Sequence, residues 1–239
     1  MKSIKRILTS FNRYKRSKGF GVHSPFAFYF IINVLRERLP YYAYTNIELR
    51  RNMALNLSAR ISRHRRVISI KNAKMLFRIA CYFTPETILQ IGTTYGVSTT
   101  AILDVERRSK LVICPGAETC TPIYKKVTQR YGDRIIHAED IESALKTYSE
   151  ISVAGRAPFI LVNSIDTDND ANILYPYLMD ALENDGVVIF RNILKPTRVS
   201  ALNNRVNDAL NHGMTFTNGK IAIVVGRKTL PRQIFNLWF

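Results

Sequence analysis

Acidic residues are scarce in this chain: 18 Asp and Glu stand against 35 Lys and Arg, a formal net charge of +17 over 239 residues. A surplus of that sign argues against a basic partner and favours polyanions or anionic surfaces. Cysteine is scarcer still, with only Cys81, Cys114 and Cys120. An odd, sparse set excludes a disulfide framework, and no CxxC pair is present to build a zinc knuckle. A reducing compartment, the cytoplasm, is the expectation. No apolar run approaches the roughly 20 residues that a membrane span needs, so no transmembrane segment is expected. The basic N-terminus is not followed by a clean apolar stretch and a small-residue cleavage site, which argues against a signal peptide. The four histidines, His23, His64, His137 and His212, have no Cys, Asp or Glu at ligand spacing, and there is no Gly-x-Ser-x-Gly elbow. No metal site is expected, nor a serine-hydrolase mechanism.

What is present is unevenly placed. Residues 1–66 hold 15 Lys and Arg against Glu37 and Glu48 alone, a surplus of 13, which leaves about +4 for the remaining chain. A clustered field of this kind suits an anionic partner or a membrane surface. A solvated extension that aids solubility accounts for it equally well. No aromatic-basic RNA motif and no recognition-helix signature accompanies the charge, so nothing beyond electrostatics points to nucleic acid.

The chain opens with an amphipathic helical pattern over residues 3–16, where Ile4, Ile7, Leu8 and Phe11 form one apolar stripe. Gly19 and Gly21 break it. Ser24-Pro25 then reads as a cap and first helical position for a helix to about Arg38, stopped by Pro40. Thr45-Asn46-Ile47-Glu48 reads as a capping box opening a helix to about Ala59. Another helix is expected over Asn72–Phe83.

From residue 87 the pattern changes to strict alternation. Strands are expected at Thr87–Ile91, Leu111–Cys114, Arg134–His137, Phe159–Asn163 and Gly186–Phe190. Helices fall between them, at Ser98–Arg107, Thr121–Tyr131, Ile141–Glu150, Asp170–Leu182 and Val199–Asn211. A closing pair, Met214–Thr217 and Lys220–Val225, flanks the hairpin signal Asn218-Gly219. The expected architecture is α/β: a Rossmann-like, mostly parallel, seven-stranded sheet with helices on both faces and a C-terminal antiparallel hairpin. Residues 1–70 are read as a basic helical N-terminal extension and 71–239 as the α/β domain. Ligands of such sheets bind beyond the carboxyl ends of the strands, so the site is expected in the loops that follow them.

Two stretches carry a family resemblance. Ile88-Leu89-Gln90-Ile91-Gly92-Thr93-Thr94-Tyr95-Gly96-Val97-Ser98 resembles the first motif of class I S-adenosylmethionine (SAM)-dependent methyltransferases, an apolar strand running into a glycine turn and a helix. The leader Lys18-Gly19-Phe20-Gly21-Val22-His23-Ser24-Pro25-Phe26-Ala27-Phe28, with Tyr41–Tyr44 and Ile47-Glu48-Leu49-Arg50, is similar to that of a bacterial O-methyltransferase-like subgroup. The likeness runs almost the whole chain, to Gln233-Ile234-Phe235-Asn236-Leu237-Trp238-Phe239.

The resemblance implies SAM as cofactor, bound by Gln90, Gly92, Thr93, Thr94, Gly96 and Asp140. Glycines let backbone N–H groups approach the cofactor's carboxylate. Asp140 would meet the adenine, or would cap the helix from Ile141. Three departures stand out. Gln90 occupies a position usually acidic, so an amide replaces a charge. The second strand ends in Cys114-Pro115 where a carboxylate would take the ribose hydroxyls; Glu118 lies just beyond. The family's Asp-Gly-Asn-His and Asp-Asp become Asn163-Ser164-Ile165-Asp166 and Arg191-Asn192. Paired carboxylates would hold a catalytic cation there, and arginine would repel it. Asn163, Asn192 and His23 are the remaining catalytic candidates. The cluster Asp166, Asp168 and Asp170 reads as a helix start rather than a calcium loop, lacking the later glycine and glutamate.

Three functions follow. The chain is a methyltransferase acting on an unknown small-molecule or macromolecular substrate, by positioning without a metal. Or it is a catalytically inactive relative that binds or regulates. Or it is a binder of polyanions or membrane surfaces through its basic extension. The terminal hairpin and the apolar N-terminal helices are compatible with a homodimer.

Overall fold

The computed structural model describes residues 12–61, 67–93, 95–105, 108–116 and 121–239. Five strands, β1 (Thr87–Ile91), β2 (Lys110–Cys114), β3 (Ile135–His137), β4 (Phe159–Val162) and β5 (Val187–Arg191), pair in parallel. Their apolar runs are continuous because both faces are covered. Alternate residues face opposite ways. Ile88, Ile113, Leu161 and Ile189 join one hydrophobic cluster, while Leu89, Val112, Ile160 and Val188 join the other.

Helices on the first face are α1 (Pro25–Phe30), α2 (Ala43–Ser58), α3 (Ile70–Phe83), α4 (Val97–Leu103) and α5 (Thr121–Thr128). The second face is covered by α6 (Ile141–Ile151), α7 (Asp168–Glu183) and α8 (Arg198–Ala209). Strands β6 (Met214–Thr217) and β7 (Ile221–Val225) form the expected antiparallel hairpin, with β7 seated on β5. An eighth strand, β8 (Gln233–Asn236), adds to the seven expected and lies parallel to β6. It is short, and only Phe235 among its residues is buried, so it carries no strong apolar signal. Phe235 stacks on Phe216 with centroids 5.2 Å apart. The order is β3-β2-β1-β4-β5-β7-β6-β8, which reverses direction between β1 and β4.

The N-terminal helices share the sheet's core. Ala27, Phe30, Ile31, Leu35, Ile47 and Ala54 belong to the first cluster. Ser24 caps α1 and Pro25 takes its first position, as expected; residues 31–35 continue it as a π-helix. The capping box expected at Thr45–Glu48 is not used. Helix α2 begins at Ala43 behind Tyr42, with no side-chain cap. Tertiary bonds claim those side chains instead: Asn46 donates to Asp104 and Tyr131, and Glu48 pairs with Lys74. Arg78, on α3, is buried and donates to the carbonyls of Val34 and Leu35 and to the Tyr44 hydroxyl.

The stripe Ile4, Ile7, Leu8 and Phe11 lies outside the described residues. Residues 12–17 are helical and tied to the C-terminal segment. Arg13 donates to the carbonyls of Asn218 and Leu237, and the Trp238 N–H donates to Ser17 Oγ at 2.6 Å. Among the described residues, no helix is long and apolar enough to cross a membrane.

Candidate functional site

The strand order reverses between β1 and β4, and a cavity of about 950 Å³ opens over that point at the strands' carboxyl ends. Thr93, Ser98, Asn163, Arg191, Asn192 and Lys195 are among its lining residues. The cavity lies among the loops where a site was expected from the alternating pattern; a reversal of strand order leaves a crevice between diverging loops.

The turn after β1 is built around Gly92, at φ +75°. A Cβ there would fall 2.0 Å from Ser164 Oγ and 2.8 Å from the Ser164 nitrogen. Close packing on the loop after β4 therefore requires the glycine. Gly96, at φ +77°, precedes α4 and packs on Thr128 and Tyr124 of α5.

Polar groups of Gly92, Thr93 and Gly96 are engaged within the protein. The Gly92 N–H donates to the Cys114 carbonyl at 2.8 Å and the Thr93 N–H to the Pro115 carbonyl at 2.9 Å. The Gly96 N–H reaches Thr93 Oγ1 at 3.3 Å. Gln90 is fully buried. Its Nε2 donates to the Gly92 carbonyl and Ser98 Oγ, and its Oε1 accepts from Thr99 Oγ1 at 3.1 Å. The Gln90 amide thus braces the turn from inside. Ser98 belongs to the stretch that carries the family resemblance and Thr99 adjoins it, but neither is among the expected cofactor-binding residues. Thr94 lies outside the described residues.

Asp140 takes the cap role. Its carboxylate accepts from the Ser143 N–H at 2.7 Å, and Ser143 Oγ accepts from the Asp140 N–H, closing a capping box at the start of α6. That backbone bond holds the exposed Asp140 carboxyl below the ordinary range. Asp140 does not line the cavity.

Asn163 sits at the centre. Its Nδ2 donates to the Gly92 carbonyl at 2.6 Å, and its Oδ1 accepts from Arg191 Nη1 at 2.7 Å. Asn192, left-handed at φ +64°, donates through Nδ2 to the Asn163 carbonyl at 2.9 Å. The loops after β1, β4 and β5 are thereby joined. Arg191 Nε is buried without a partner, and no carboxylate among the described residues pairs with Arg191. Burial pushes its guanidinium down to about 10.

The acidic cluster after β4 is a helix start, as expected. Thr167 caps α7 and Asp170 closes the box, while Asp168 pairs with Arg198 at 2.7 Å. Asp166 lines the cavity. His23 is exposed just before α1 and lies apart from the cavity lining that holds Asn163 and Asn192. His137 ends β3 against the Tyr124 ring, and burial with the nearby Lys125 lowers its pKa.

The N–H groups of Gly92, Thr93 and Gly96 are spent within the fold, Gln90 faces inward, and Pro115 uses its carbonyl on Thr93 and has no side-chain acceptor.

The chain matches no protein-family model and no curated protein. Solved structures do resemble it. The O-methyltransferase from Bacillus cereus, in complex with SAH (S-adenosylhomocysteine), superposes with a TM-score of 0.52 at 18% identity, covering 81% of this chain and 96% of that one. TomG of Streptomyces achromogenes, an O-methyltransferase of tomaymycin synthesis in complex with SAM, gives 0.52 at 15%, covering 75% and 88%. The SAH-bound methyltransferase PaMTH1 of Podospora anserina gives 0.52 at 12%, covering 80% and 99%. The chain therefore has the class I methyltransferase fold, the fold of the SAM-dependent O-methyltransferases it resembles.

Proposed function

We propose that this chain uses the methyltransferase fold as a binding scaffold and does not carry out SAM-dependent methyl transfer. One observation carries the reading: the Gly92 and Thr93 N–H groups are donated to the Cys114 and Pro115 carbonyls. With the Gly92 and Thr93 donors already satisfied, the turn offers a carboxylate fewer groups in return for its lost hydration. Arg191 supports it, since a guanidinium stands where a metal-assisted transferase would need a carboxylate. Ancestral O-methyl transfer explains the fold; the present residues favour binding or regulation. The sparse cysteines favour the cytoplasm as its compartment.

Calorimetric titration with SAM and SAH, repeated with Mg²⁺, tests this. No heat is expected at millimolar ligand from a folded sample. Micromolar binding would overturn the reading and restore a methyltransferase with an unknown acceptor.

A second reading, an anionic partner for residues 1–66, is favoured by one further observation. Arg13, Arg36 and Arg38 join Lys71 and Lys220 around a cleft of about 1020 Å³. Polyanion binding that falls steeply with added salt supports it; salt-insensitive behaviour opposes it.

A further inference from the structure

We infer that the cleft over β1, β4 and β5 is an anion site centred on Arg191, taking a small molecule that bears a carboxylate or phosphate group. The inference names the ligand class for the scaffold proposed above and rests on that reading.

Arg191 closes β5, and its guanidinium lines the cavity. Among the described residues a single hydrogen bond holds it, Nη1 to Asn163 Oδ1 at 2.7 Å. That partner is a neutral amide. It orients the guanidinium without cancelling its charge. Its Nε is buried and has no acceptor among the described residues. A partly buried cation without an anion is a poor resting state, because lost hydration is not replaced by an opposite charge. A guanidinium whose charge no carboxylate among the described residues offsets attracts a carboxylate or phosphate oxygen.

The charged groups around the cavity are Lys195, Arg198 and Asp166 besides Arg191. Arg198 is neutralised by Asp168. Lys195 makes no ion pair with the described residues and stands on the loop that follows Arg191. The lining also includes Ser69, which caps α3, and Asn72 in its first turn, and α3 contains no acidic residue. The volume, about 950 Å³, suits a ligand up to nucleotide size rather than a polymer.

The test titrates the full chain at low ionic strength with inorganic phosphate, malonate and adenosine monophosphate, and with SAH as a separate arm. At least one anion is expected to bind with 1:1 stoichiometry. Arg191→Gln is expected to weaken that binding at least tenfold, and Lys195→Gln several-fold. Asn163→Asp places a carboxylate on the guanidinium, losing the Nδ2 bond to Gly92, and is expected to weaken binding tenfold as well; circular dichroism of both variants checks that each is folded. Arg156→Gln, on the remote Glu86 pair, is expected to change nothing. Anion binding that persists in both Arg191→Gln and Asn163→Asp overturns the inference, as does absence of binding by all three anions. SAH binding to the wild type overturns the scaffold reading instead, whatever the anions do.

Discussion

The side-chain amide of Asn163 donates to the carbonyl oxygen of Gly92 at 2.6 Å, joining the end of β4 to the turn after β1. The same amide accepts from Arg191, so one neutral side chain locks three loops.

Asn163→Ala removes that lock. Among the described residues it leaves the Gly92 carbonyl with the Gln90 donor alone and strips Arg191 of its only hydrogen bond. Lost bonds and a less satisfied buried group together cost about 1–3 kcal/mol. Urea denaturation should show a lower midpoint with an unchanged slope. An unaltered midpoint would mean the bond contributes nothing net.

Gly92→Ala should be worse. The backbone at φ +75° disfavours any Cβ by about 1–2 kcal/mol, before the clash with Ser164 Oγ and nitrogen is counted. Thermal melting should report a large fall, or no folded protein. Adding Ser164→Gly should recover only part of the loss, because the backbone nitrogen remains in the way.

Arg78→Met tests the docking of the N-terminal helices. The guanidinium satisfies the carbonyls of Val34 and Leu35 at the end of the π-helix, and methionine leaves both unpaired. About 2–4 kcal/mol should be lost, with faster proteolysis near residues 36–42. Arg78→Lys should not rescue, since one ammonium cannot span three acceptors held by a planar fork.

Asp104 gives a pH signature. Burial raises its carboxyl above the ordinary value of 3.8, despite bonds from Tyr131 and Asn46. A raised acid binds protons more readily folded than unfolded. Its contribution therefore improves as pH falls through the raised value and is lost as pH rises through it. Stability of the wild type relative to Asp104→Asn should rise toward acid pH and level off at neutral pH. A difference independent of pH would count against the raised value.

The sheet was legible because hydrophobic period reports burial directly. Ile88 to Ile91, Phe159 to Val162 and Val187 to Phe190 are apolar on both faces except at Gln90, which only a buried parallel strand explains. The caps at Ser24, Asp140 and Thr167 are local bonds within three residues, and two of these starts were read from the residues alone. The false capping box at Thr45 shows the limit. A local motif loses when distant groups, Asp104 and Lys74, offer its side chains tertiary partners.

Glycines, departures and charge surplus could be read from the sequence by itself, and with them the fold class and the region of the cleft. Which donors remain open to a ligand was decided by tertiary structure alone. Gly92 and Thr93 lose theirs to carbonyls more than 20 residues away in the chain, while Arg191 keeps its own because the neighbour brought to it is an amide. Hydrogen-bond satisfaction depends on what folding brings within about 3 Å, and sequence spacing does not encode that distance.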